Sequence, residues 1–235
     1  MDRRVCIDHL ITHIFESDGI KTLKYGTEQK IKLPKAEGFK VATATTDGIV
    51  YMDVPGFQPY DGSAEFRDCG SAFVPKPKRL KVIHCVAEYK EGSGKNQALM
   101  GIVSGLYQKR ILRKGHQLVF AIFHEDIDIL RVVAGGWEDG WIHLYQVGNY
   151  SLRNPLQAIK FYLVIRCIRQ IGQHYLQELR QSEMQLEIDL TDDPPVDEWA
   201  KEEKGSTSED LNEPDGNGPN EQPGRISKYN PMFKV

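Results

Sequence analysis

No stretch of this 235-residue chain stays apolar over the roughly 20 residues that a bilayer span requires. The opening MDRRVCIDHL has basic residues but no apolar core of the signal-peptide kind. Cysteine is scarce. Cys6, Cys69, Cys85 and Cys167 stand apart without a C-x-x-C pair, which argues against a zinc knuckle and against a disulfide framework. These absences lead to the expectation of a soluble intracellular protein, cytoplasmic or nuclear, with no membrane partner. No internal repeat is visible. The phosphate-loop pattern G-x-x-x-x-G-K-[ST] fails twice around Gly94-Lys95, with Tyr89 in place of the first glycine and Asn96 in place of the hydroxyl, so that stretch reads as a turn and helix start.

Strong charge of one sign is also missing overall, but the net value of -3 conceals a division. Residues 1–186 hold 25 Lys and Arg against 20 Asp and Glu, whereas residues 187–221 hold 13 Asp and Glu against 2 Lys. The body is mildly basic, compatible with a nucleic-acid partner, and the tail is acidic. Six of the twelve prolines fall in residues 187–235, where almost nothing is available to bury, so a disordered acidic tail is expected there. Its closing ISKYNPMFKV regains apolar residues and reads as a docking segment for a protein partner or as a truncated continuation.

What is present in residues 1–186 is the pattern of one α/β domain. RRVCIDHLITHIFESDG spaces Val5, His9, Leu10 and Ile14 along one helix face, closed by Gly19. EQKIKLP and FKVATATTDGIVYMDVPG are strand-like, and the turn-rich stretch over residues 56–79 reads as a long connection. LKVIHCVAEY is short and β-branched, suiting a strand buried on both faces. KNQALMGIVSGLYQKRILRKG is a helix in which Gly101 and Gly105 imply close packing against a sheet. Three strands and a long amphipathic helix follow, the helix with Asn154 as N-cap and Pro155 at its first position. A mixed sheet flanked by helices is the economical architecture.

The residues that attract chemistry are Glu88 and Lys90, which share one side of a strand end because side chains alternate with a period of two. Hydrolysing a phosphodiester calls for a hard cation on carboxylate oxygens and a positive group against the developing charge. Glu88 supplies one carboxylate, Lys90 the positive group, and the Tyr89 carbonyl a further oxygen. The second carboxylate is expected from an adjacent strand, where Asp47 precedes Gly48, with Asp53 a few residues on. A structural ion pair between Glu88 and Lys90 is the plain competing reading.

The pattern TTDGIVYMDV … VIHCVAEYKEG, followed by a helix carrying Gln97, the aliphatic strand QLVFAIF and the hairpin DILRVVAGGWEDGWIHLYQV, resembles the PD-(D/E)XK, or restriction-endonuclease-like, nuclease superfamily. It also resembles the nuclease-like regions that accompany fungal kinase-like proteins. The resemblance covers roughly residues 5–185 and implies a three-layer fold around a central mixed sheet. It implies Asp47 and Glu88 as ligands of Mg²⁺ or Mn²⁺ together with Tyr89, Lys90 at the reacting phosphate, and supporting places for Glu16 and Gln97. The implied substrate is DNA or RNA. Thr46 stands where the motif has proline, and 40 residues separate Asp47 from Glu88, so Asp61 and Asp68 remain alternative partners beside Asp53. A catalytically silent binding or regulatory module is the alternative function.

Lys109, Arg110, Arg113 and Lys114 form a basic cluster that would follow a phosphate backbone, or simply end a helix in solvent. His9 and His13 lack a third ligand and read as a plain helix face. Trp137 and Trp141 flank a hairpin turn and are expected to pack on the final helix or to stack on bases.

Overall fold

In the computed structural model, residues 3–16, 22–38, 40–90, 94–126, 128–201 and 233–234 are described. The chain runs as α1 (Arg3–Glu16), β1 (Leu23–Lys32), β2 (Thr43–Val54), α2 (Gln58–Gly62), α3 (Ala64–Gly70), β3 (Phe73–Val74) and β4 (Leu80–Glu88). It continues as α4 (Gly94–Ile111), β5 (Val119–Asp126), β6 (Ile129–Glu138), β7 (Trp141–Ser151), α5 (Pro155–Gln181) and α6 (Glu183–Asp192). Seven strands form one mixed sheet in the order β3-β1-β2-β4-β5-β6-β7, and Phe233–Lys234 adds a two-residue pairing, β8, beyond β7. The architecture is α/β, with helices on both faces of the sheet.

β4 is central because of its composition: every residue from Val82 to Glu88 is buried, which only a strand covered on both faces allows. It pairs antiparallel with β2 and parallel with β5, and α4 makes the crossover that a parallel connection demands. The glycines of α4 permit that helix to lie against the sheet. A Cβ at Gly101 would stand 2.7 Å from a methyl of Val86, and one at Gly105 2.9 Å from a methyl of Ile83. On the opposite face Gly172 of α5 gives room to His84, the residue skipped where the β2–β4 register shifts between Val50 and Tyr51. His84 is wholly buried, bonds through Nε2 to the Ile168 carbonyl at 2.8 Å, and is kept uncharged by burial and the nearby Lys109 ammonium, its pKa lowered to about 3.

Several expectations change. The buried face of α1 is Ile7, Ile11, Ile14 and Phe15, whereas Val5 and His9 are exposed, because the isoleucines give the tighter helical stripe. The turn-rich connection contains α2, α3 and β3; Ser63 caps α3 by accepting the Phe66 amide at 3.1 Å. Trp137 packs on α4 rather than on a final helix, donating from Nε1 to the Leu106 carbonyl at 3.1 Å, while Trp141 is exposed. α5 begins as expected: the Asn154 side chain accepts the amides of Leu156 and Gln157, with Pro155 at the first position.

The largest change lies beyond residue 186. Where disorder is expected from residue 187, α6 continues to Asp192 and an extended segment packs as far as Lys201. Lys35 donates its amide to the Glu198 carbonyl and Ala200 to the Leu33 carbonyl. Between them Trp199 is buried and donates from Nε1 to the Cys69 carbonyl at 2.6 Å. One large aromatic side chain with a satisfied indole N–H is enough to hold an otherwise polar segment. The rest of the expected tail, residues 202–232 and 235, lies outside the described residues, and of residues 233–234 only the strand pairing is described. Trp199→Ala should therefore lower the unfolding free energy by about 3–5 kcal/mol, the usual cost of truncating a buried tryptophan, read as a shift in urea midpoint.

Candidate active site

The register that pairs Gly48 with Ala87 and Ile49 with Val86 brings Asp47 level with Glu88 one step further along. Residues 41 positions apart in the chain thus become cross-strand neighbours. The Asp47 amide donates to Glu88 Oε1 at 3.3 Å, and the Tyr89 amide donates to Asp47 Oδ2 at 2.9 Å. Lys90 Nζ stands 3.7 Å from Asp47 Oδ1. Glu88 is wholly buried, Asp47 nearly so, and Lys90 is half-exposed, so two carboxylates sit inside with a cation at the rim.

Two carboxylates this close cannot both ionise freely. Burial in the sheet, and secondly the Asp47 charge, raise the Glu88 pKa to about 8. Among the described residues neither Glu88 Oε2 nor Oε1 of Gln97, both buried atoms, has a hydrogen-bond partner. A buried acceptor left unpaired is costly, on the order of 1–3 kcal/mol, and marks a place where a donor or a cation belongs. Gln97 lies in the first turn of α4. That turn stands beside Glu88, since a Cβ at Gly94 would be 3.6 Å from Glu88 Cβ. Among the described residues no group of three or more His, Cys, Asp or Glu side chains could hold a metal, so a cation here would rely on two carboxylates and on neutral oxygens.

The other expected site residues divide. Asp53 forms an ion pair with Lys24 and lies opposite Lys81, at the far end of β4 from Glu88. Asp68 is exposed and paired with Lys76, and Asp61 is exposed in α2, so Asp47 is the carboxylate that meets Glu88. Glu16 is exposed and accepts the Tyr25 amide at 3.1 Å; that contact ties α1 to β1. Tyr89 contributes its amide to Asp47, while its ring turns to the opposite face, where its hydroxyl lies 3.2 Å from that of Tyr25.

Three residues that the sequence did not single out reach the site. Asp8 accepts a short hydrogen bond from the Tyr25 hydroxyl, and Arg4 donates to Asp8 Oδ2 at 3.4 Å and to the Asp47 carbonyl at 3.2 Å. Burial and the Asp8 carboxylate hold the Tyr25 hydroxyl protonated, and burial with the neighbouring Tyr25 does the same for Tyr89. The spacing of Arg4 and Asp8, four apart on α1, was the only available sequence signal.

Three members of the basic cluster make contacts within the protein. Lys109 is wholly buried, donates to the Leu118 carbonyl at 2.6 Å and lies over the Tyr175 ring. Arg110 pairs with Glu198 and stacks on Tyr107 and Trp137, and Arg113 pairs with Asp193 at 2.6 Å. Lys114 is half-buried. The cluster also closes the 18-residue α4, about 27 Å long at 1.5 Å per residue, at the end remote from Glu88. Acidic residues of the packed 193–198 segment take up charges that the sequence alone left facing solvent.

Comparison with protein-family models, with curated proteins and with solved structures returns no match. Among the described residues no helix is long and apolar enough to cross a membrane.

The two perturbed groups should shape stability in opposite senses. Glu88 is protonated up to about pH 8 when folded but only to about 4.5 when unfolded, so folding takes up a proton and stability falls as pH rises between those values. Lys109 loses its proton near 7 when folded, because burial disfavours the ammonium, but near 10.5 when unfolded; stability therefore climbs over that upper window. Because His84 and the buried thiols of Cys69 and Cys85 also contribute over these ranges, the difference from wild type is the measure: in urea titrations from pH 5 to 10 Glu88→Gln should lack the falling limb contributed by Glu88, and Lys109→Met the rising one contributed by Lys109. Each limb has a slope of at most about 1.4 kcal/mol per pH unit. Slopes unchanged by either substitution would contradict these assignments.

Proposed function

We propose that this chain is a divalent-metal-dependent nuclease of the PD-(D/E)XK, restriction-endonuclease-like type, hydrolysing phosphodiester bonds of DNA or RNA in an intracellular setting. The observation that carries the reading is Glu88 Oε2, a wholly buried carboxylate oxygen without a hydrogen-bond partner among the described residues, level with a second carboxylate on the neighbouring strand. The succession of E-x-K strand, helix, aliphatic strand and hairpin along the chain supports it, as does the parallel placement of β5 beside β4.

Mg²⁺ or Mn²⁺ is the fitting cation, because both take oxygen ligands and the donors here are Asp47, Glu88 and the amide oxygen of Gln97, with the Tyr89 carbonyl at the same strand end. When bound, such an ion supplies Lewis-acid chemistry at the phosphate. The chain's own residues do the rest. Asp47, held by the Tyr89 amide, presents its second oxygen to the site; Glu88 must release its proton before it can act as an anionic ligand. Lys90, half-exposed at the rim and held among the described residues by a 3.7 Å ion pair, would turn toward a phosphate oxygen. That the described residues bring two carboxylates together and no third favours a second reading, a silent nuclease-like module that binds without cleaving, as a regulatory part of a larger, kinase-like assembly.

Cleavage of single- and double-stranded DNA and RNA in Mn²⁺ separates these readings. The wild type should cut at least one substrate, and Lys90→Ala should lose about 100-fold or more in rate, the scale of removing one positioned charge-stabilising donor. Equal rates in wild type and Lys90→Ala would assign the cleavage to another site, and no cleavage of any substrate would leave the silent module standing.

A further inference from the structure

We propose that Arg4, Asp8, Tyr25 and Tyr89 form a positioning circuit that begins and ends on Asp47 and sets its carboxylate for a cation; the inference rests on the metal-site reading above. The hydrogen bonds close on themselves. Arg4 donates to the Asp47 carbonyl at 3.2 Å and, from its Nε, to Asp8 at 3.4 Å. Asp8 accepts from the Tyr25 hydroxyl, whose oxygen lies 3.2 Å from the Tyr89 hydroxyl. The Tyr89 amide then returns to Asp47 Oδ2 at 2.9 Å. Directions follow from chemistry: an ionised carboxylate only accepts, so Tyr25 gives its proton to Asp8 and is left to accept from Tyr89. The backbone carbonyl and the carboxylate of the same aspartate are thereby held from three chain segments, α1, β1 and β4.

The circuit passes to the face of the sheet opposite the carboxylates, and a glycine makes this possible. Tyr25 lies across from Val50, and its hydroxyl reaches diagonally over Gly48, where a Cβ would stand 1.9 Å from the oxygen. No side chain fits at residue 48 while Tyr25 holds this place. Docking α1 on the sheet does not require the circuit, since Ile7, Ile11, Ile14 and Phe15 already bury an apolar face there. Half-buried polar groups are a demanding way to join two elements unless their geometry is itself used. Here that geometry terminates on Asp47, whose direction decides whether Glu88 gains a second carboxylate as partner ligand. Arg4, Asp8, Tyr25 and Tyr89 act through Asp47 and are positioning residues.

The test is Mn²⁺ binding to the full chain, followed by loss of the free-Mn²⁺ electron paramagnetic resonance signal, in wild type, Tyr25→Phe, Tyr89→Phe and the double variant. Each substitution deletes one hydroxyl and keeps the ring. Each should weaken Mn²⁺ binding about 10-fold, the lower end for partners behind a ligand, with little further loss in the double variant because both break one circuit. Gly48→Ala, which displaces Tyr25 without touching a polar group, should reproduce the loss. A fall in melting temperature with unchanged Mn²⁺ affinity in the two phenylalanine variants would make the circuit a structural tie only and overturn the proposal. Absence of saturable Mn²⁺ binding by the wild type would instead overturn the metal-site reading, and this inference with it.

Discussion

The structure turns on the register between β2 and β4. Asp47 and Glu88 meet only because Gly48 pairs with Ala87; slipping the strands by one residue would send Asp47 to the other face and leave Glu88 alone beneath α4. Burial then gives the meeting its character. A carboxylate in solvent beside another would ionise with little penalty, but Glu88 has lost its water, so its charge must be cancelled by a proton or by a cation. The backbone takes part as well: each carboxylate accepts an amide hydrogen from the opposite strand, from Asp47 in one direction and Tyr89 in the other, which orients the oxygens without consuming all of them.

Close approach of α4 depends on the same strand. Gly94, Gly101 and Gly105 meet Glu88, Val86 and Ile83 in turn, so the helix follows β4 along its length and its first turn brings Gln97 to the carboxylate end. Gly101 and Gly105 each lower helix stability by about 1 kcal/mol relative to alanine, and the gain is contact between backbone and sheet that a side chain would prevent. Gly48 has a related role on the reverse face, where it admits the Tyr25 hydroxyl. The polar groups of the site thus depend on places where side chains are missing.

The remote end of the molecule is governed by a different balance. Trp199 supplies the apolar anchor, and around it Glu198 and Asp193 meet Arg110 and Arg113. These ion pairs are half-exposed, contribute modestly, and weaken with salt; the tryptophan does most of the holding. They also engage two arginines of the basic cluster within the protein.

Much of the scaffold was legible in the sequence: the central strand from its unbroken apolar run, the crossover helix from its glycines, and the last long helix from Asn154 and Pro155, whereas Lys90, expected beside Glu88, forms its ion pair with Asp47. These signals are local, so composition and spacing carry them. Which aspartate faces Glu88, that Lys109 is buried rather than solvated, that Asp8 and Arg4 reach Asp47, and that Trp199 folds back onto Cys69 were decided only in the tertiary structure. Each joins residues tens of positions apart, and such contacts are set by register and packing, which no window of neighbouring residues contains.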